Sequence, residues 1–124
     1  MGKKGFIAIV IVAVAILIGR QVYYGSKVNE VKNSTRYGNT SKVTYGQAFN
    51  SYFKHPKWKY FTSDVYIGVV EFTGEDRNGR DVLIQLTKEE VVYDSWFAMH
   101  VEINGQPISA LNIAEYIRSI FDTY

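Results

Sequence analysis

The sequence predicts a small α+β domain carried behind an N-terminal transmembrane helix. Three observations carry that expectation. Phe6 to Ile18 is an unbroken run of thirteen apolar residues. Two β-patterned stretches meet across Asn78-Gly79, the strongest short-range hairpin signal. The chain ends in a segment whose apolar residues recur at helical spacing.

The apolar run comes first. An α-helix rises about 1.5 Å per residue, so Gly5 to Gly19 reaches roughly 22 Å of the ~30 Å hydrocarbon core. Val22, Tyr23 and Tyr24 extend it past Arg20, whose stem can lie in lipid while its guanidinium reaches the headgroups. Lys3, Lys4, Arg20, Tyr23 and Tyr24 are therefore the expected membrane-interface residues, and residues 1–25 form the expected signal anchor. Two other leaders share this grammar. Ala13-x-Ala15 fits a signal-peptidase site, although cleavage there would leave Ile16-Leu17-Ile18 as an exposed apolar terminus. Lys4-Gly5-Phe6 followed by an apolar helix resembles the processing site of type IV pilins, whose mature chains begin at phenylalanine. Pilins usually carry glutamate at the fifth mature position, and this chain has Val10.

Residues 26–43 are polar and weakly periodic, which predicts a tether with a short strand around Val28 to Lys32. The domain proper is expected over residues 44–124. Thr44-x-x-Gln47 is a capping box that starts a helix with Ala48, Phe49, Tyr52 and Phe53 on one face. Pro56 is expected to end that helix region and open a short turn carrying Trp58 and Phe61. Val65 to Thr73 and Asp81 to Thr87 read as strands, and Lys88 to Asp94 as an acidic connection. Ser95 to Asn104 reads as a further strand with Phe97, Met99, Val101 and Ile103 on its apolar side. The sheet is thus expected to be antiparallel with three to four strands. Ser109 caps a final amphipathic helix, with Leu111, Ala114, Ile117, Ile120, Phe121 and Tyr124 as the stripe that packs on the sheet.

Charge is divided unevenly. Residues 1–63 hold ten Lys and Arg against one acid, Glu30, while residues 64–124 hold four against eleven. The basic half adjoins the anchor, where anionic headgroups attract lysines and arginines. Lys54, Lys57, Trp58 and Lys59 interleave bases with an aromatic, a pattern suited to lipid headgroups or a polyanion. The plainer alternative sends Trp58 and Phe61 into the core and leaves the lysines in water. The chain has no cysteine; disulfides, thiol nucleophiles and cysteine-based metal sites are excluded. Glu71, Asp81 and Glu102 are the carboxylates that an enzyme would have to bring together. His100 reads as an ordinary surface residue. No cofactor or metal motif stands out, nucleic acid is a disfavoured partner, and the expected partners are the bilayer and another envelope protein, with self-association open.

Val31-Lys32-Asn33, Thr44-x-Gly46-x-Ala48-Phe49, Trp58-x-x-Phe61 and Val69-Val70-Glu71-Phe72-Thr73-Gly74 together resemble a group of small bacterial membrane-anchored proteins. The resemblance covers about half of the soluble part. It implies an envelope-facing α+β module and assigns no catalytic residue. The expected function is a non-catalytic, extracytoplasmic interaction module on a single-pass anchor; the alternative is a pilin-like filament subunit cut at Gly5-Phe6.

Overall fold

The computed structural model describes residues 23–36, 42–62, 68–89 and 95–124. Lys3, Lys4, Arg20 and the apolar run lie outside these residues. Among the described residues no helix is long and apolar enough to cross a membrane. The fold is α+β, an antiparallel sheet with helices at both ends of the domain. Helix α1 covers residues 23–32. It is followed by α2 (Tyr45–Tyr52), β1 (Lys54–Thr62), β2 (Gly68–Glu75), β3 (Asp81–Glu89), β4 (Ser95–Ile103), β5 (Gln106–Pro107) and α3 (Ala110–Thr123). The five strands lie in chain order, β1-β2-β3-β4-β5, each antiparallel to the next. This is one strand more than the upper expectation, because the turn at Asn104-Gly105 returns the chain onto β4.

Helix α1 replaces the strand expected at Val28 to Lys32. Val31 is completely buried and Val28 packs beside it. A stretch read as tether is therefore part of the core. Its single i, i+3 apolar pair is too short a pattern to announce a helix. The stretch then joins α2 through a bridge between Thr35 and Thr44 and a bond from the Tyr45 amide to the Ser34 carbonyl (2.9 Å).

The capping box forms as expected. The Gln47 amide donates to the Thr44 hydroxyl (3.2 Å) and the Thr44 amide to the Gln47 side-chain carbonyl (3.0 Å). Gly46 is where α2 meets α1: a Cβ there would stand 2.8 Å from the Lys32 carbonyl oxygen. Phe53 is already extended and the chain runs directly into β1, so the turn expected at Pro56 is a strand. Proline is tolerated there because β1 is an edge strand and the register slips between Lys54 and Lys57. His55 sits in that slip with a left-handed φ of 55°.

The β2–β3 hairpin turns at Asn78-Gly79, with Gly79 at φ 76°. Its interior is held by Asp76, which is 1% exposed. One Asp76 oxygen accepts the amides of Asn78 and Arg80, both at 2.9 Å. The other accepts Arg80 Nε at 2.8 Å and the Tyr116 hydroxyl at 3.3 Å. Strand β4 departs from simple alternation. Gln85 pairs with His100 but Leu86 pairs with Ala98, so Met99 is an extra residue in a bulge. Trp96, Ala98 and Val101 consequently face the core, while Phe97 and Met99, expected inside, are 41% and 39% exposed.

Helix α3 begins at Ser109, whose hydroxyl accepts from the Asn112 amide (3.3 Å). Its inward residues are Ile113, Tyr116, Ile117, Ile120 and Phe121. Leu111 and Tyr124, expected in the stripe, are exposed, and so is Ala114. The helix lies across the sheet rotated toward Ile113 and Tyr116, which brings Tyr116 to Asp76. A chain truncated before Ile117 loses three buried side chains worth roughly 1.5–3 kcal/mol each, and the expected result is loss of the cooperative unfolding transition in circular dichroism.

The three described helices share one face of the sheet. The core they enclose centres on Phe49, which touches Tyr45, Phe53, Trp58, Phe72 and Phe121 at ring separations of 5.0–6.3 Å. The Tyr45 hydroxyl, buried in the same cluster, donates to the Trp96 carbonyl at 2.9 Å. Burial raises its pKa well above that of an ordinary tyrosine.

Candidate functional site

Two regions of the domain carry the side chains that sequence singled out. The first is the end of the sheet where the described chain enters. Tyr23 and Tyr24 pack on Tyr60 of β1, with ring separations of 5.7 and 5.1 Å, and on each other at 6.0 Å. Lys27 lies 5.7 Å from the Tyr23 ring. Burial, and then a hydrogen bond with Tyr23, raises the Tyr60 pKa. Gly68 makes room for this ring; a Cβ there would stand 2.5 Å from the Tyr60 hydroxyl.

Glu30 pins the same helix to β3 and β4. Its Oε1 accepts Lys88 Nζ at 3.0 Å and Trp96 Nε1 at 3.2 Å, while Lys27 Nζ lies 3.7 Å from Oε2. The Lys88 hydrogen bond is the main reason its pKa lies below the usual carboxylate range. The one acid of the basic half is therefore a cross-link to the acidic half. Helix α1 is thus fixed at two points, and Tyr23 and Tyr24 mark the end of the sheet where β1 finishes and β2 begins.

The second region is the sheet face opposite the helices. Strand period separates the basic–aromatic run. Lys57 and Lys59 project from this outer face, with Lys54 at the strand's start, and all three are exposed. Trp58 turns to the helical side, stacks on Phe49 (5.6 Å, 19°) and donates from Nε1 to Asn50 Oδ1 (3.0 Å). Its other neighbours are Phe72 at 4.8 Å and the Lys32 ammonium at 5.6 Å. Phe61 lies on the same face as the lysines, not with Trp58.

Across the outer face the pairing sets side chains in rows. Lys59, Glu71, Gln85 and His100 form one; Lys57, Thr73, Leu83 and Glu102 form the next. Glu71 is 8% exposed because both neighbours bind it, Lys59 Nζ at 2.8 Å and Gln85 Nε2 at 3.1 Å. His100 Nε2 lies 2.8 Å from Glu102 Oε2, so this histidine is a hydrogen-bond partner of an acid on the face. Asp81 and Glu102 do meet, together with Glu75, His55 and Lys57, around a groove of about 380 Å³ at the end of the face remote from Tyr60. Glu71 stays outside it, in a smaller hollow with Lys57 and Lys59.

The rows give a face that is basic along β1 and acidic from β2 to β4. Such an arrangement can complement a surface of opposite charge pattern. Glu30 and Gln85 were not singled out as groups that bind other side chains, because Lys88, Trp96 and Glu71, which they reach, lie 14 to 66 positions away and no local pattern reports such pairing. Comparisons with protein families, curated proteins and solved structures find no match to this chain.

Proposed function

We propose that this chain is a membrane-anchored module on the extracytoplasmic side of a bacterial cytoplasmic membrane, which recognises a protein partner and catalyses no reaction. One observation supports this most directly. The apolar run ends five residues before Tyr23 and six before Tyr24, and these pack on Tyr60 at the end of the sheet. An anchor entering there would hold the tyrosines at interfacial depth, where amphipathic rings are favoured, and direct the opposite end of β1, about 20 Å away at 3.3 Å per residue, toward the aqueous side. The groove at that end then faces away from lipid. Glu71 and Glu102 are already engaged by Lys59, Gln85 and His100, which favours recognition over acid–base chemistry.

Extraction of membranes at alkaline pH tests the anchor. The full chain should stay in the pellet and be released only by detergent; a soluble chain with residues 1–24 intact contradicts the proposal. Intact-mass measurement on the same sample separates the alternative, since a chain beginning at Phe6 would identify a pilin-like subunit.

A further inference from the structure

The end of the sheet that Tyr23 and Tyr24 mark carries large apolar side chains open to solvent on both of its sides. Tyr23 is 52% exposed on the helical side and Phe97 41% on the outer side. Phe61 pairs with Val69 and Phe97 with Thr87, each one residue beyond the pair that Val70 makes with Leu86. The two phenylalanines therefore share one row across the outer face, about 14 Å apart for three steps of ~4.8 Å. Tyr60 precedes Phe61, so the tyrosine cluster is anchored within about 3.3 Å of that row along the strands. The bulge at Met99 sets Phe97 on the outer side while Val101 enters the core, which is how a bulge re-aims a side chain.

Helix α1 touches the sheet along this same end. Tyr24 sits on Tyr60 of β1, and Glu30 on Lys88 of β3 and Trp96 of β4, each within two residues of where its strand stops or starts. The amino-acid sequence distinguishes the two ends of the sheet in the same sense. The connections that leave and return at the Tyr60 end, 63–67 and 90–94, read Ser-Asp-Val-Tyr-Ile and Glu-Val-Val-Tyr-Asp. Those at the opposite end read Asp-Arg-Asn-Gly-Arg and Asn-Gly, the composition usual for connections in water.

We propose that this end of the domain is itself a bilayer-contact surface, on which Phe97 and the Tyr23–Tyr24–Tyr60 cluster rest together at the level of the phospholipid headgroups. The inference rests on the anchoring proposed above and adds to it a second contact made by the folded domain. Lipid is the occupant because of where the chain leads. The apolar run ends five residues before Tyr23, a reach of at most about 18 Å even when fully extended. The end of the sheet that Tyr23 touches is then the part of the domain nearest the membrane. With the strands near the bilayer normal, Phe97 meets the interface at the height of the tyrosines, where amphipathic and aromatic rings are favoured. Lys27, 5.7 Å from the Tyr23 ring, places a cation beside the lipid phosphates. Tilting the sheet onto its outer face would instead press Glu71 and Glu102 against those phosphates.

Because the chain has no cysteine, a single introduced thiol can carry a fluorophore at a chosen height. Ser95→Cys lies at the start of β4, two residues from Phe97, and Asn78→Cys in the turn at the opposite end. The full chain is reconstituted into vesicles of phosphatidylethanolamine and phosphatidylglycerol that contain a headgroup-nitroxide lipid. A bimane label on Ser95→Cys should be quenched by that lipid severalfold more than one on Asn78→Cys, and aqueous iodide should reverse the order. Adding Phe97→Glu, at an exposed position, should leave the chain folded and sedimenting with the vesicles while lowering lipid quenching at Ser95→Cys severalfold. Equal lipid quenching at the two labels in a chain that stays with the vesicles overturns the contact and leaves the anchor standing. Shielding of Ser95→Cys from iodide without lipid quenching assigns this end to a protein neighbour and overturns it too, as does lipid quenching that Phe97→Glu leaves unchanged. Recovery of the chain in the supernatant with residues 1–24 intact overturns the anchoring and the contact together.

Discussion

Phe49→Ala should cost this domain about 3–5 kcal/mol, as truncation of a fully buried phenylalanine does. The side chain is inaccessible to solvent and stands at the meeting point of α2, β1, β2 and α3. Two features place it at the upper end. Its neighbours are rings held by their own contacts, such as the Tyr45 hydroxyl on the Trp96 carbonyl and Trp58 Nε1 on Asn50, so the site cannot collapse easily onto the gap. The edge-to-face contacts it makes add to the area it buries. Domains of this size are stable by about 5–15 kcal/mol, so the loss is a large share of the total. Urea unfolding of the detergent-solubilised full chain, followed by tryptophan fluorescence, should show the midpoint lowered by about 2 M for an m-value near 1.5–2 kcal/mol/M. Trp58 stacks on Phe49 and is a built-in reporter of the change. A shift below 0.5 M, on the order of 1 kcal/mol, would mean that the core is not centred where the packing puts it.

The second large effect belongs to Asp76. Its carboxylate is withdrawn from water, which by itself would raise the pKa, but the bonds from the Arg80 amide and guanidinium and the Asn78 amide outweigh burial and set the pKa below the ordinary value. Asp76→Ala leaves two backbone amides and the Arg80 guanidinium without their acceptor. Breaking a buried pair from one side costs about 3–5 kcal/mol; Arg80 remains partly in water, at 39% side-chain exposure, so about 3 kcal/mol is the expected loss. The pH dependence has a definite sign. A depressed folded-state pKa means that the unfolded chain binds the proton more readily. The contribution of Asp76 is complete above the unfolded value of about 3.9 and is lost as pH falls through the folded value. Stability should therefore decline below about pH 4–5 in the parent chain, and Asp76→Asn should be less stable at neutral pH with a flatter acid limb. An identical acid limb in the variant would show that Asp76 is not the group responsible.

The parts of the fold legible in sequence are those coded locally. Thr44 and Gln47 are three residues apart and cap each other. Asn78-Gly79 needs only its own backbone to turn. Ser109 and the Ile117–Ile120–Phe121 spacing announce α3. The parts that were not legible depend on distant residues. Helix α1 is stabilised by Glu30 reaching Lys88 and Trp96, so its own polar sequence looks like a linker. Strand β1 keeps Pro56 because, among the described strands, it has a neighbour on one side only. The β4 phase is set by one bulged residue, Met99, which alternation counted from either end of the strand cannot locate. The same limit applies to the outer face. Lys57 and Lys59 appeared grouped with Trp58 in sequence, yet a strand sends alternate residues to opposite sides, and the acids that complete the face come from β2, β3 and β4.

A domain held outside the cytoplasm by its own leader is open to protease added from outside. Protease added to intact cells, compared with lysed cells, tests it most directly. Residues 25–124 should be degraded in intact cells whose outer barriers are permeabilised while a cytoplasmic marker survives; protection of the domain until the cytoplasmic membrane is broken would contradict the account.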